Sequence, residues 1–125
     1  MARILVIDDE PHLLILVESF LLQNGHEVDL ADNGKVGLKL IERNLYDLVI
    51  TDVVMPDKDG LEVIMELKRR VPRIRSIVIS GGGDRLNNKE LLHIAKLMGA
   101  DRVLPKPLDF TTLLAAVTDV LEIQP

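Results

Sequence analysis

Three acids, a serine and a lysine carry the chemical interest of this chain. They are Asp8 and Asp9 in "IDDE", Asp52 in "LVITDVVMPDKDG", Ser80 in "VISGGG" and Lys106 in "LPKP". Asp52 is the least expected, because it follows Leu48, Val49 and Ile50, a run that belongs in a core. Burying a lone charge is costly, so Asp52 has partners or chemistry to perform. Carboxylates suit two tasks. They ligate hard divalent cations through oxygen, and one can act as a nucleophile toward phosphorus, giving an aspartyl phosphate.

Whether these residues meet depends on the elements that carry them. Four β-branched runs stand out, 3–7, 27–31, 47–51 and 75–80, with a weaker fifth at 101–105. Three are almost continuously apolar, the pattern of parallel strands covered on both faces. Helical patterns lie between them. The spacing predicts inward stripes of Leu13, Leu16, Val17 and Phe20 in the first helix and of Val36, Leu40 and Ile41 in the second. The third helix, from about Asp59 to Arg70, would turn Leu61, Ile64 and Met65 inward. A fourth would start at Asn87 or Asn88 and stop at Gly99. The last would place Phe110, Leu113, Leu114 and Val117 on one stripe, with Asp109 near its N-cap. Strand–helix alternation repeated five times calls for an α/β fold, a doubly wound five-stranded parallel sheet with helices on both faces. No linker or repeat divides residues 1–125, which read as one domain.

On this frame Asp8, Asp9, Asp52, Ser80 and Lys106 all fall at carboxyl ends of strands, where open α/β sheets bind ligands. With strand order 2-1-3-4-5, strands one and three are neighbours and Asp8, Asp9 and Asp52 converge. Three carboxylates so close repel one another. A magnesium ion would resolve the conflict, and with Lys106 it would balance the charge of Asp52. Taken singly, Asp9 also reads as a helix cap, Lys106 as a solvated lysine and Ser80 as a turn residue. Their convergence on one edge favours the joint reading.

The "IDDE" acids, the "DVVMPDKDG" segment, Ser80 and the Lys106-Pro107 pair, in this order and spacing, resemble the receiver domain of bacterial two-component response regulators. The resemblance covers essentially the whole chain. It implies a phosphorylation-controlled signalling switch rather than an enzyme, with Asp52 as phosphoacceptor. Asp9 and Asp52 would be direct Mg2+ ligands, Asp8 would act partly through water, and the backbone carbonyl of Val54 would complete the set. Lys106 would pair with the phosphoryl group, Ser80 would hydrogen-bond one of its oxygens, and Lys106-Pro107 would be a cis peptide. The implied donor is a histidine kinase or a histidine phosphotransfer protein, and the output is a partner protein or self-association.

One departure bears on the switch. The family usually places an aromatic residue three positions before the lysine, where this chain has Val103. Gly81, Gly82 and Gly83 lower the cost of rearranging the loop after Ser80, so the response is expected there and in the helix that follows. In the resembling family, the side chains two past the phosphoacceptor and two past the hydroxyl residue affect the attacking water; Val54 and Gly82 offer no polar group there, which implies slow self-dephosphorylation.

Bulk properties narrow the alternatives. A net charge of −5 argues against direct nucleic-acid binding, and the "LKRRVPRIR" cluster reads as a solvated helix end. Without cysteine there is no disulfide framework or thiolate chemistry. Short apolar runs and no signal-peptide pattern predict a cytoplasmic protein without a membrane span. His12, His26 and His93 share no ligand spacing. Two other functions compete. An aspartate-nucleophile phosphohydrolase would need a second acid where Val54 stands. A flavin-binding module would need a Ser/Thr-rich loop in place of "DDEPH" and more than 2% aromatic residues.

Overall fold

A computed structural model describes residues 2–52, 60–80, 93, 96–97 and 99–122, with only the backbone at 60, 61 and 80. Its elements are β1 (Arg3–Ile7), α1 (Pro11–Gln23), β2 (Glu27–Ala31), α2 (Gly34–Arg43), β3 (Leu48–Asp52), α3 (Gly60–Arg70), β4 (Arg75–Ser80), β5 (Arg102–Pro105) and α4 (Phe110–Glu122). The sheet is parallel throughout, in the order β2-β1-β3-β4-β5. Val54, Met55, Pro56, Gly81, Gly82, Gly83 and the expected caps at Asn87 and Asn88 lie outside the described residues. Of the helix expected there, His93, Lys96 and Leu97 are helical, and Gly99 ends it at φ +99°, a conformation that favours glycine.

Alternation along the strands sorts the core into two layers. Leu5, Ile7, Val49 and Val78 face α2 and α3, packing on Leu38, Ile41, Val63, Ile64 and Leu67. Ile4, Val6, Leu48, Ile50, Ile77 and Ile79 face α1 and α4, packing on Leu14, Val17, Leu21, Leu113, Val117 and Val120. Each fully buried aliphatic side chain contributes about 1.5–3 kcal/mol. All of β3 is buried, and so is β1 after its first residue. These two central strands position the carboxyl edge.

The helical stripes differ in phase from the expectation. In α1 the core residues are Leu14, Val17 and Leu21, with Leu13 and Phe20 at the margin, while Leu16 is exposed. Residues 13–17 are all apolar, so periodicity alone could not fix which face turns inward. Val36 and Met65 are also exposed; Leu38 in α2 and Val63 and Leu67 in α3 take the inner positions beside Ile41 and Ile64. In α4, Ala116 and Val120 join Leu113 and Val117, whereas Leu114 is half-buried. Strand β3 runs one residue later than 47–51, which brings Asp52 inside the ladder opposite Ile79.

Helix starts follow local chemistry. Asn33 Oδ1 accepts the Val36 N–H at 2.9 Å, and Asp109 Oδ1 accepts the N–H groups of Thr111 and Thr112. Gly37 lets α2 lie close on β1, since a Cβ there would collide with Ile7 Cδ1. The basic cluster is solvated and paired: Arg69 and Arg70 meet Glu66, and Arg70 also meets Glu42.

Candidate functional site

The site follows from register. Ile7 pairs with Thr51 across β1 and β3, so the next residues, Asp8 and Asp52, stand side by side at the carboxyl edge. The Asp8 N–H continues the ladder to Ala31 O at 3.1 Å. Thr51 Oγ1 donates to the Asp52 carbonyl oxygen at 3.1 Å, fixing the backbone at the end of β3. Ser80 pairs with Pro105 in the β4–β5 ladder, which sets its backbone at the same edge and one residue from Lys106. The Lys106-Pro107 peptide is cis.

Asp8 is 1% exposed and Asp52 4% exposed; Asp9 is exposed. One carboxylate oxygen of each lies within 4.8 Å of the others. Lys106 reaches in from the end of β5. Its Nζ donates to Asp52 Oδ2 at 3.1 Å and stands 3.4 Å from Asp8 Oδ2 and 3.6 Å from Glu10 Oε2.

The electrostatics are unbalanced. Among the described residues, one ammonium serves three carboxylates, those of Asp8, Glu10 and Asp52, with Asp9 beside them. Asp8 Oδ1 accepts the Glu10 N–H at 2.8 Å, but buried Asp8 Oδ2 has no hydrogen-bond partner. Burial, and then the Asp52 charge, push the Asp8 carboxyl above its ordinary pKa, against the Glu10 N–H and Lys106, which lower it. Burial works against the Lys106 ammonium. Its hydrogen bond and attraction to Asp52, with Asp8 and Glu10 adding, outweigh that and raise its pKa.

These residues fit a hard cation. Octahedral oxygen ligands at about 2.1 Å from a magnesium ion stand roughly 3–4 Å apart. The three acids are gathered near that scale, exposed Asp9 has freedom to close on the ion, and buried Asp8 Oδ2, 3.4 Å from Lys106 Nζ but without a hydrogen bond, keeps acceptor capacity for a cation. Glu10 belongs to the "IDDE" run at this edge, but nothing in that run pairs it with Lys106. Its contact to Lys106 spans ninety-six residues of chain and has no local pattern to betray it.

A doubly wound parallel sheet with an acid-and-lysine cluster at its switch point defines a flavodoxin-like α/β module with a cation-ready edge. The model of the response regulator receiver domain matches residues 4–118. The chain is 34% identical over 124 residues to the transcriptional regulatory protein PcoR of Escherichia coli, covering 97% of this chain and 52% of PcoR. It is 31% identical to the response regulator ArlR of Staphylococcus saprophyticus, covering 100% of this chain and 54% of ArlR. The chain thus spans about half the length of these curated relatives. Among solved structures, a receiver domain protein from Clostridium thermocellum has a TM-score of 0.88 at 32% identity, covering 97% of this chain and 94% of that one. A CheY-like receiver domain protein from Methanospirillum hungatei JF-1 has a TM-score of 0.89 at 27% identity, covering 98% and 94%. The chain belongs to the response regulator receiver domain family. Receiver domains are phosphorylation-controlled signalling switches, not turnover enzymes. No helix among the described residues is long and apolar enough to cross a membrane.

Proposed function

We infer that Asp52 is the phosphoacceptor of this switch, in a Mg2+-dependent reaction with a histidine kinase or histidine phosphotransfer protein as donor. The observation that carries the reading is a nearly buried Asp52 hydrogen-bonded to Lys106 beside the unsatisfied Asp8. One Asp52 oxygen attacks phosphorus. The bond from phosphorus to the donor histidine nitrogen breaks, and its electron pair stays on the imidazole. Lys106 draws charge from the phosphoryl oxygens. Asp8, Asp9 and Asp52, with the Val54 carbonyl, would hold the magnesium ion, which neutralises charge as the phosphoryl group arrives. Ser80 would hydrogen-bond a phosphoryl oxygen after transfer, a contact of about 1.5–3 kcal/mol.

Moving a two-state equilibrium from 1:99 to 99:1 takes about 5.5 kcal/mol of differential interaction. Ser80 alone gives a partial shift. Val103 sits opposite Val78 and packs on the α2–α3 side of the core, so no aromatic ring at that position can turn inward as part of a switch. The output then falls to Gly81, Gly82, Gly83 and the helix after them. Unchanged amide exchange across 81–98 on phosphorylation would argue against that route. The output partner is another protein or a second copy, and the expected setting is the cytoplasm.

The deciding experiment is intact-mass spectrometry after acetyl phosphate and Mg2+. One added phosphoryl group is expected on the native chain and none on Asp52→Asn. Equal labelling of both, or no labelling of the native chain, overturns the assignment.

A further inference from the structure

Glu10 occupies an unusual position for an acid at a helix start. It is the N-cap residue of α1 yet makes no side-chain cap bond, although an acid there would favour the exposed N–H groups and the helix dipole. Its carboxylate instead turns toward Lys106, 3.6 Å away, with its side chain 66% exposed. A groove opens at this point, lined by Glu10, Leu13, Lys106, Pro107 and Leu108. Glu10 is its one acidic wall among the described residues. A phosphoryl group brought to Asp52 beside Lys106 comes within range of that charge.

As an ion pair, an exposed contact of this kind adds little stability. As a negative charge beside the ammonium that meets the phosphoryl group it acts differently, because it repels each donor in proportion to the donor's own charge. We propose that Glu10 is a specificity-determining residue that selects phosphodonors by net charge, disfavouring dianionic acyl phosphates relative to donors whose phosphorus is bonded to a protonated nitrogen. This rests on Asp52 being the phosphoacceptor.

Acetyl phosphate and phosphoramidate probe the two classes. In both, an Asp52 oxygen attacks phosphorus. With acetyl phosphate the phosphorus–oxygen bond breaks and acetate leaves with the electron pair. With phosphoramidate the phosphorus–nitrogen bond breaks and ammonia leaves, keeping the protons already on its nitrogen. Near neutral pH the first donor carries one more negative charge than the second.

For one unit charge on each partner, roughly 7 Å apart in water-like surroundings, the repulsion changes a rate about threefold. Glu10→Gln should therefore raise the acetyl phosphate to phosphoramidate rate ratio about threefold at low ionic strength, an effect that fades as salt screens it. Glu10→Asp, which keeps the charge, should hold the native ratio. The measurement is the time course of phosphorylated mass for each chain, with Mg2+, at low and high salt. If Glu10→Gln changes both rates by one common factor, Glu10 merely steadies Lys106 and the proposal is overturned. If the native chain takes a phosphoryl group from neither donor, the phosphoacceptor reading itself fails.

Discussion

The two ends of the sheet use the same residue types to opposite effect. At the amino end, Arg3 donates to Asp29 and to Asn44, both at 3.1 Å, and lies over the Tyr46 ring at 5.1 Å. Tyr46 donates its hydroxyl to Asp29 at 2.6 Å, and the Arg3 N–H donates to Asp47 at 2.8 Å. Burial first, and then the Asp29 carboxylate, push the Tyr46 phenol well above its usual pKa, so it remains a donor. At the carboxyl end, Asp8 Oδ2 is buried without a hydrogen bond, and Lys106 is shared among three acids. At the first end these side chains satisfy one another, although Ser76 Oγ nearby is buried without a hydrogen bond. The other is left short of positive charge, as a site must be if an incoming cation is to complete it.

Removing Tyr46 tests this contrast with the largest expected effect. Tyr46→Ala opens a cavity beside the α2–α3 core and strips partners from Asp29, so a loss of about 3–5 kcal/mol is expected in urea unfolding. Magnesium affinity of the folded fraction should not change. A loss below 1 kcal/mol would mean the amino-end network is ornamental.

The next effect has the opposite sign. Asp8→Asn removes a buried charge that burial and Asp52 disfavour and keeps an oxygen for the Glu10 N–H, leaving Lys106 to Asp52 and Glu10. Without divalent ions it should stabilise the fold by about 0.5–2 kcal/mol, the range typical of relieving a functional site. Destabilisation there would mean that the carboxyl end is not short of positive charge.

The smallest effect is a pH slope at the amino end. His26 Nδ1 accepts the Ala2 N–H at 3.2 Å, and burial lowers its pKa. The fold therefore favours the neutral ring. Below about pH 6.5 the unfolded chain binds the extra proton more readily. This stability is complete above that pH and is lost as pH falls toward the lowered folded value. His26→Gln should flatten the slope of melting temperature between pH 7 and 5.5, and an unchanged slope would remove His26 from the account.

The contrast also marks what the sequence disclosed. Strands at 3–7, 27–31 and 75–80 were legible to the residue, because short β-branched or alternating apolar runs between polar and turn residues leave little choice of bounds. Asp8, Asp52 and Lys106 were legible as neighbours because one topology brings three strand ends together. Helix phase was less so: α1 is apolar on every side near its start, and only packing chose Leu14 over Leu16. The Arg3–Asp29–Asn44–Tyr46 network was not legible at all. Its members come from β1, β2 and the segment between α2 and β3, and no local spacing connects them.

The most direct measurement is the melting temperature against Mg2+ concentration for the native chain, Asp8→Asn and Asp52→Asn. If the carboxyl end awaits a cation, magnesium stabilises the native fold, by about 1.4 kcal/mol at ten times its dissociation constant, and far less in either variant. A native melting temperature indifferent to magnesium, or an equal rise in all three chains, would contradict the account.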